Sequence, residues 1–110
     1  MPNTYKVLGQ VAPSATTATT AYTVPSSAQA VVSTIVVANR SASTITYRIA
    51  VRPDGATLAN NHYIAYDVPL GANDSVALTL GLTLGDTDVV TVYASTADVS
   101  FALFGSEITA

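Results

Sequence analysis

Residues 44–68 read TITYRIAVRPDGATLANNHYIAYDV, which is two runs of alternating side chains on either side of a turn. The runs 44–52 and 62–68 are rich in β-branched and aromatic residues, and such residues favour strands. Between them, PDG at 53–55 has the chemistry of a tight turn, because its glycine accepts a positive φ. The stretch therefore predicts an antiparallel hairpin.

The side chains of this hairpin favour one register. If Arg48 lies opposite Asp67 and Arg52 opposite Tyr63, one face carries an ion pair and a cation–π contact. This register pairs Ala50 with Ala65 on that face, and Tyr47 with Val68, Ile49 with Tyr66 and Val51 with Ile64 on the other. The second face is predicted to join the core, because a slip by one residue would place both arginines opposite hydrophobic residues.

The polar face of the hairpin is the candidate functional site. Arg48, Arg52, Tyr63 and Asp67 are expected to form an interface with another protein, because Arg and Tyr are enriched in binding hot spots. The chain has only four basic residues, and two of them lie here. The alternative is that this face meets water and serves the architecture of the hairpin alone.

The rest of the chain repeats the same pattern of short strands and turns. Residues 30–39 are apolar on both faces and predict a central strand, whereas 75–84 places Val76, Leu78, Leu80, Leu82 and Leu84 on one face. Other strands are predicted at 4–11, 18–24, 89–94 and 99–105, followed by a tail at 106–110.

These seven or eight strands, without a helical period, predict one all-β domain over residues 1–110. The expected fold is an antiparallel β-sandwich, jelly-roll-like or immunoglobulin-like. Residues 1–28 are expected to form an extended edge strand or an arm, because Pro25 cannot donate a hydrogen bond to a sheet.

Composition limits the classes of partner. The chain has 110 residues, a net charge of −3 and 10% charged residues, against roughly 25% in an average soluble domain. Four basic residues are too few for the positive surface that nucleic acid or an anionic membrane requires. The first residues lack the apolar region of a signal peptide. A mean hydropathy of +0.41 favours a subunit whose surface is covered by neighbours.

The sequence contains no set of residues typical of a catalytic or metal-binding site. His62 is the single histidine and cysteine is absent, so a metal site or triad would depend on carboxylates. Asp74, Asp86 and Asp88 are interpreted as turn residues, because the spacing of a calcium loop is missing. The N-x-[ST] matches at Asn39 and Asn73 are also interpreted as turns. The chain is therefore predicted to hold no cofactor and no metal, and not to be an enzyme.

Four stretches carry a resemblance to a known class of protein. They are KVLGQVAPSATTATTAYTVP at 6–25, NRSASTITYRIAVRPDGATLANNHYIAYDVPLGANDSVALTLGLTL at 39–84, DVVTVYAS at 88–95 and VSFALFGSEI at 99–108. Together they resemble small structural proteins of tailed bacteriophages, notably those that infect cyanobacteria and marine bacteria. The resemblance implies a component of the virion with a β-sandwich fold and no enzymatic activity.

The resemblance leaves the place in the virion open. The first expectation is a capsid decoration or cement protein bound to the major capsid protein, and the second is a tail, baseplate or fibre protein. A carbohydrate- or host-receptor-binding module is a third alternative. A homo-oligomer is expected, with a cyclic trimer as the first guess from symmetry.

Overall fold

A computed structural model describes residues 3–109 of the chain. The parts of the predicted domain, N-terminal segment and tail that fall on Met1, Pro2 and Ala110 lie outside the described residues. The eight strands are β1 (Asn3–Val11), β2 (Thr19–Thr23), β3 (Ala28–Asn39), β4 (Ile45–Arg52), β5 (Tyr63–Leu70), β6 (Ser75–Leu84), β7 (Val89–Ala94) and β8 (Val99–Thr109). Two short 3₁₀ turns, Pro53–Gly55 and Asn60–His62, lie between β4 and β5. Within 3–109, no helix is long and apolar enough to cross a membrane.

The strands form two antiparallel sheets of four. The order is β1-β8-β3-β6 in one, here the β8 sheet, and β2-β7-β4-β5 in the other, here the β4 sheet. The first strand pairs with the last, β2 with β7, β3 with β6 and β4 with β5. The chain is thus one long hairpin with its tip between β4 and β5. Pairing of β3 with β8 and of β4 with β7 rolls that hairpin into two layers.

This rolled hairpin is the jelly-roll arrangement. The predicted all-β antiparallel sandwich is confirmed, and its topology is jelly-roll-like rather than immunoglobulin-like. The opening stretch occupies the tip of the hairpin, where residues 53–62 join the innermost pair of strands, β4 and β5, and turn the chain back. Its turn chemistry therefore sets where the chain reverses, and the alternation on either side sets which face is buried.

The core lies between the two sheets, because alternate side chains of each strand point inward. Phe101 of β8 meets Tyr47 of β4 edge to face, with ring centroids 6.3 Å apart. Burial raises the pKa of the Tyr47 phenol. The largest fully buried side chains are Phe101, Ile35, Ile45, Ile49, Leu103, Val24, Val32, Val37, Val90, Val92, Val99 and Pro13.

A buried asparagine ties two turns at one end of the sandwich. The Asn39 side-chain amide donates to the carbonyl oxygens of Ser43 at 2.8 Å and Gly71 at 2.9 Å. Its carbonyl oxygen accepts from the Ser41 backbone at 2.9 Å. Asn39 is 2% exposed, so it serves the turns, in keeping with the interpretation from sequence.

A bulge in the β8 sheet interrupts the regular pairing. Val32 lies opposite Gly105 and Thr34 opposite Phe104, so Ser33 is an extra residue on β3. The Ser33 hydroxyl donates to the Phe104 carbonyl oxygen at 3.1 Å. A Cβ on Gly105 would overlap the Val31 carbonyl oxygen. Glycine is therefore required where the bulge brings β3 against β8.

The same irregularity corrects the prediction for β6. Strict alternation from 75 to 84 placed Leu80 with the inward-facing leucines, but Leu80 is 41% exposed. Val32 lies opposite Leu82 and Thr34 opposite Thr79, so two β6 residues face one on β3. Gly81 supplies the positive φ of 65° that this bulge needs. The alternation is therefore broken at its centre.

Both ends of the described range, 3–109, belong to the sheets. Strands β1 and β2, which fall within the predicted N-terminal segment 1–28, lie at the edges of two different sheets. The predicted tail at 106–110 is wrong as far as 109, because β8 continues to Thr109. Its last residues pair with β1 on one side and β3 on the other, which supplies hydrogen bonds that the sequence pattern did not indicate.

Candidate functional site

The β4–β5 hairpin forms, but its register differs from the prediction in part. Tyr47 lies opposite Val68 as expected, whereas Ile49 lies opposite Ala65. One extra β5 residue has therefore entered the pairing, and Asp67 there has a φ of 51°. The bulge places both Asp67 and its neighbour Tyr66 beside Arg48.

A second register shift follows. Ala50 lies opposite Tyr63, not Ala65, so Ile64 is also an extra residue. The prediction that Ile64 and Tyr66 join the core is wrong, because they are 46% and 56% exposed. Ala65, predicted on the outer face, packs against the core in their place, whereas Val68 packs against the core as predicted. The physical reason is that each bulge reverses the in–out order of the residues that follow it.

The predicted ion pair between Arg48 and Asp67 is present. Arg48 Nε donates to Asp67 Oδ1 at 2.7 Å, and Nη2 donates to Oδ2 at 3.3 Å. The side chains are 22% and 45% exposed. These hydrogen bonds raise the pKa of Arg48, and the fork geometry fixes the plane of the guanidinium. The pair therefore orients Arg48 more than it stabilises the sheet.

Two tyrosine rings pack against the guanidinium of Arg48. Its guanidinium carbon lies 4.2 Å from the ring centroid of Tyr66 and 4.2 Å from that of Tyr93. Tyr63 packs edge-on against Tyr66, with centroids 4.9 Å apart. These contacts lock the rotamers of one cation and three aromatic rings. We refer to Arg48, Tyr63, Tyr66, Asp67 and Tyr93 as the Arg48 cluster.

Arg52 does not join the Arg48 cluster, so the predicted cation–π contact with Tyr63 is wrong. Arg52 Nε instead donates to the hydroxyl of Thr91 on β7 at 3.0 Å, and Nη1 donates to the Ala56 carbonyl oxygen at 3.1 Å. The shift at Ala50 moves Tyr63 along the sheet. Arg52 thus fastens the loop after β4 to the outer side of the β4 sheet.

The remaining polar residues singled out from the sequence serve turns. His62 Nδ1 accepts from the Ala59 backbone at 3.1 Å and closes the loop before β5. The Asp88 carboxylate accepts from the backbone of Asp54 and of Gly85, each at 2.8 Å. Asp74 Oδ1 accepts from the backbone of its neighbour, Ser75, at 2.8 Å. Over residues 3–109, no group of three potential ligands is placed to hold a metal ion.

A second polar group joins the two sheets at their edge. The hydroxyl of Tyr22 on β2 donates to Glu107 Oε2 on β8 at 2.6 Å, and Lys6 Nζ lies 3.5 Å from Oε1. Tyr22 is 8% exposed. Burial, and then the bond to Glu107, raise the pKa of the Tyr22 phenol. No local sequence signal pointed to this contact, because its partners are 85 residues apart.

The Arg48 cluster has the chemistry of a recognition surface. Guanidinium and aromatic groups bind carboxylates, carbonyls and rings of a partner, and here they are ordered before binding. Tyr66 and Ile64 expose apolar area beside it. Tyr66 and Tyr93 were not among the predicted site residues. Tyr66 was assigned to the core, and the pairing of Tyr93 with Arg48 depends on β4 lying beside β7.

Comparisons with known proteins give a likeness of structure but none of sequence family. No family model matches the sequence, and no curated protein matches it. Among solved structures, a chain in the structure of infectious bursal disease virus, Gx strain, aligns with a TM-score of 0.51 and 10% sequence identity. The alignment covers 96% of this chain but 31% of that one. At this identity the likeness is one of fold, and the shared fold is an all-β one.

Proposed function

We propose that this chain is a non-enzymatic structural protein of a virion that decorates or cements the outer capsid shell. The observation that carries the proposal is the jelly-roll pairing of residues 3–109, with its likeness to a chain of a virus structure over 96% of the sequence. Jelly rolls recur in viral capsid and lectin domains. The resemblance to tailed-bacteriophage structural proteins supports the same role.

The Arg48 cluster is the surface proposed to contact the major capsid protein. Tyr66 and Asp67 are exposed, and the half-buried Arg48 is held beside them by hydrogen bonds and ring contacts. Because the cluster is already ordered, little side-chain entropy is lost on binding. Arg and Tyr are the residues that most often anchor protein interfaces. Asp67 remains 45% exposed and offers an acceptor to a partner's donor.

The proposal includes the partners and the assembly state. The chain forms a homo-oligomer, for which a cyclic trimer is the first guess, and it binds neither nucleic acid nor membrane. Its low charge supports this, because only four basic residues are available and one of them is paired with Asp67. Many copies that each repeat a modest contact can stabilise a shell through multivalency. No cofactor takes part.

Two other roles are kept as alternatives. A tail, baseplate or fibre protein of the same virion would use the Arg48 cluster on a different partner. A carbohydrate- or host-receptor-binding module is favoured by one observation, which is that Tyr66, 56% exposed, stands beside the exposed Asp67 carboxylate. An aromatic ring next to a polar group is the usual platform for a sugar.

Binding to purified capsid shells tests the proposal. Tyr66→Ala removes an exposed ring of the Arg48 cluster and should weaken co-sedimentation with shells about tenfold or more. Arg40→Ala is the control, because Arg40 lies on a distant turn and donates to Ser100 at 2.8 Å. The control should bind like the wild type.

Three results would count against the proposal. Equal binding of Tyr66→Ala and wild type would remove the Arg48 cluster from the interface. Binding to purified tails but not to shells would favour the tail alternative. Specific binding to one glycan on an array, lost in Tyr66→Ala, would favour the receptor module.

A further inference from the structure

The outer surface of the β8 sheet is a second candidate for an interface, on the opposite side of the sandwich from the Arg48 cluster. Residues that pair directly share a face of the sheet, and the next row on that face lies two residues along, or three to four where a bulge adds residues. The rows of this outer face are Tyr5, Ser106, Val31 and Thr83; Val7, Phe104, Thr34 and Thr79; and Gln10, Ala102, Val36 and Ala77. We refer to these twelve residues as the neutral face.

The neutral face carries no charged side chain, although it crosses all four strands. The chain has four basic and seven acidic residues, and they lie elsewhere. Lys6 and Glu107 pair with each other beside Tyr22, toward the other sheet. Arg40 reaches Ser100 just beyond the last row. Charge is thus excluded from a whole sheet face, as it is from the centre of protein interfaces.

Large side chains stand exposed on this face. Tyr5 is 82% and Val7 is 48% exposed. Val31, Val36 and Phe104 are each partly buried by their neighbours in the sheet. Antiparallel sheets usually present polar or charged residues on the face that meets water. The neutral face follows that rule only in part. None of its residues is charged, and its polar residues are Gln10, Thr34, Thr79, Thr83 and Ser106.

The outer face of this sheet is large enough for a stable interface, because uncharged rows extend the neutral face at both ends: Ile108 with Gln29, and Ser100 with Ala38. A strand rises about 3.3 Å per residue and strands lie about 4.8 Å apart, so four strands over the stretch Ser100–Ile108 cover about 570 Å². Two such faces in contact would bury about 1,100 Å², which exceeds the roughly 1,000 Å² that a specific interface needs.

We propose that a second copy of this chain occupies the neutral face. The charge distribution favours a copy over a different partner. Each chain has a net charge of −3, so two copies repel, and contact costs least through faces without charge. Identical neutral faces can also meet without placing like charges opposite one another. A different partner would find no charge here to recognise.

This inference rests on the homo-oligomer of the proposed function and assigns the surface that forms it. Identical faces in contact close on two copies, so the inference replaces the trimer first guessed from symmetry with a dimer. The shell is then contacted through the Arg48 cluster on the β4 sheet, and the two surfaces act independently. Sheet-to-sheet packing at about 10 Å would bury Tyr5, Val7 and Val36 of both copies. Each chain would thus contact its own copy through the neutral face and the shell through the polar Arg48 cluster.

Sedimentation equilibrium of the isolated chain tests the inference. Val7→Lys and Val36→Lys place a cation at the edge and near the centre of the neutral face. Burying an unpaired charge should raise the dissociation constant of the oligomer about 100-fold. Ile64→Lys is the matched control, because Ile64 is 46% exposed against 48% for Val7 but lies on the other sheet. It should leave the oligomer intact.

Each variant is interpreted only if circular dichroism shows a native fold. If Val36→Lys does not fold, Val7→Lys still tests the inference, because Val7 lies exposed on the edge strand β1. A wild-type monomer up to about 1 mM would overturn the inference. Dissociation by Ile64→Lys but not by Val7→Lys would also overturn it, while leaving a homo-oligomer formed through the β4 sheet. Shell binding is measured separately, so loss of the oligomer with retained, Tyr66-dependent shell binding would leave the proposed function standing.

Discussion

Replacing Gly105 by alanine should open the bulge that joins β3 to β8. A Cβ at this position would overlap the Val31 carbonyl oxygen and stand 3.1 Å from the Ser33 backbone nitrogen. Both atoms belong to the main chain of the neighbouring strand, so a side-chain rotation cannot relieve the contact. The backbone of β3 must shift, and the core residue Val32 beside it must shift as well.

The magnitude follows from the kind of contact. Overpacking costs about 1–3 kcal/mol, and an overlap with backbone belongs at the upper end, so we expect a loss of about 3 kcal/mol. For a domain of this size, a change of 1 kcal/mol shifts Tm by about 4 °C, which gives a fall of about 12 °C. Gly71→Ala is the control, because a Cβ there meets nothing within 4 Å. It should change the free energy of unfolding by less than about 0.5 kcal/mol.

The assay is thermal and urea unfolding followed by circular dichroism. Protein concentration is held equal across the variants, because oligomerisation makes Tm depend on concentration. If Gly105→Ala melts within about 2 °C of Gly71→Ala, β3 does not approach β8 as described, and the bulge at Ser33 is refuted.

Three further changes test the packing. Tyr22→Phe removes the donor to Glu107 and should lower the free energy of unfolding by about 1.5–3 kcal/mol in urea titrations; no change would contradict a buried hydrogen bond. Because burial raises the pKa of Tyr22, the contribution of Tyr22 to stability should be constant below the usual tyrosine pKa of about 10 and decline as pH rises beyond it, so stability above that pH should fall less steeply in Tyr22→Phe. Asn39→Ala should cost about 1–3 kcal/mol, because it removes the donor to the partly buried carbonyl oxygens of Ser43 and Gly71, and an equal midpoint in urea would count against its role in the turns. Phe101→Ala should cost about 3–5 kcal/mol from its central position, and a loss under about 1 kcal/mol would show that it lies outside the core.

The strands and the sandwich were predictable because their signals are local. Alternation in 44–52 and 89–94, and turn residues such as Asp74 and Asp88, depend only on neighbours in sequence. The ion pair between Arg48 and Asp67 was also predictable, because β4 and β5 are consecutive strands and their pairing follows from the alternation on either side of the loop 53–62.

The bulges could not be predicted from the alternation of apolar and polar residues alone. One extra residue at Asp67 reverses the in–out order along β5, which moved Ile64 and Tyr66 out of the core. Glycine within a strand is the usual sign of a bulge. Gly81 and Gly105 carried that sign in the β8 sheet, whereas β5 has no glycine to mark its own irregularity.

Contacts between distant strands required the topology. Tyr93 reaches Arg48 because β4 lies between β5 and β7, and Tyr22 reaches Glu107 across the edge of the sandwich. The neutral face likewise gathers residues from four strands that are far apart in sequence. Periodicity identifies which side of a strand is polar, but only the pairing of strands brings those sides together.

Electron microscopy of the native virion tests the proposed role most directly. Density for this chain should lie on the outside of the capsid shell, at the centres or junctions of capsomers, with the Arg48 cluster against the shell. Density confined to the tail, or particles that lack the chain, would contradict the proposal.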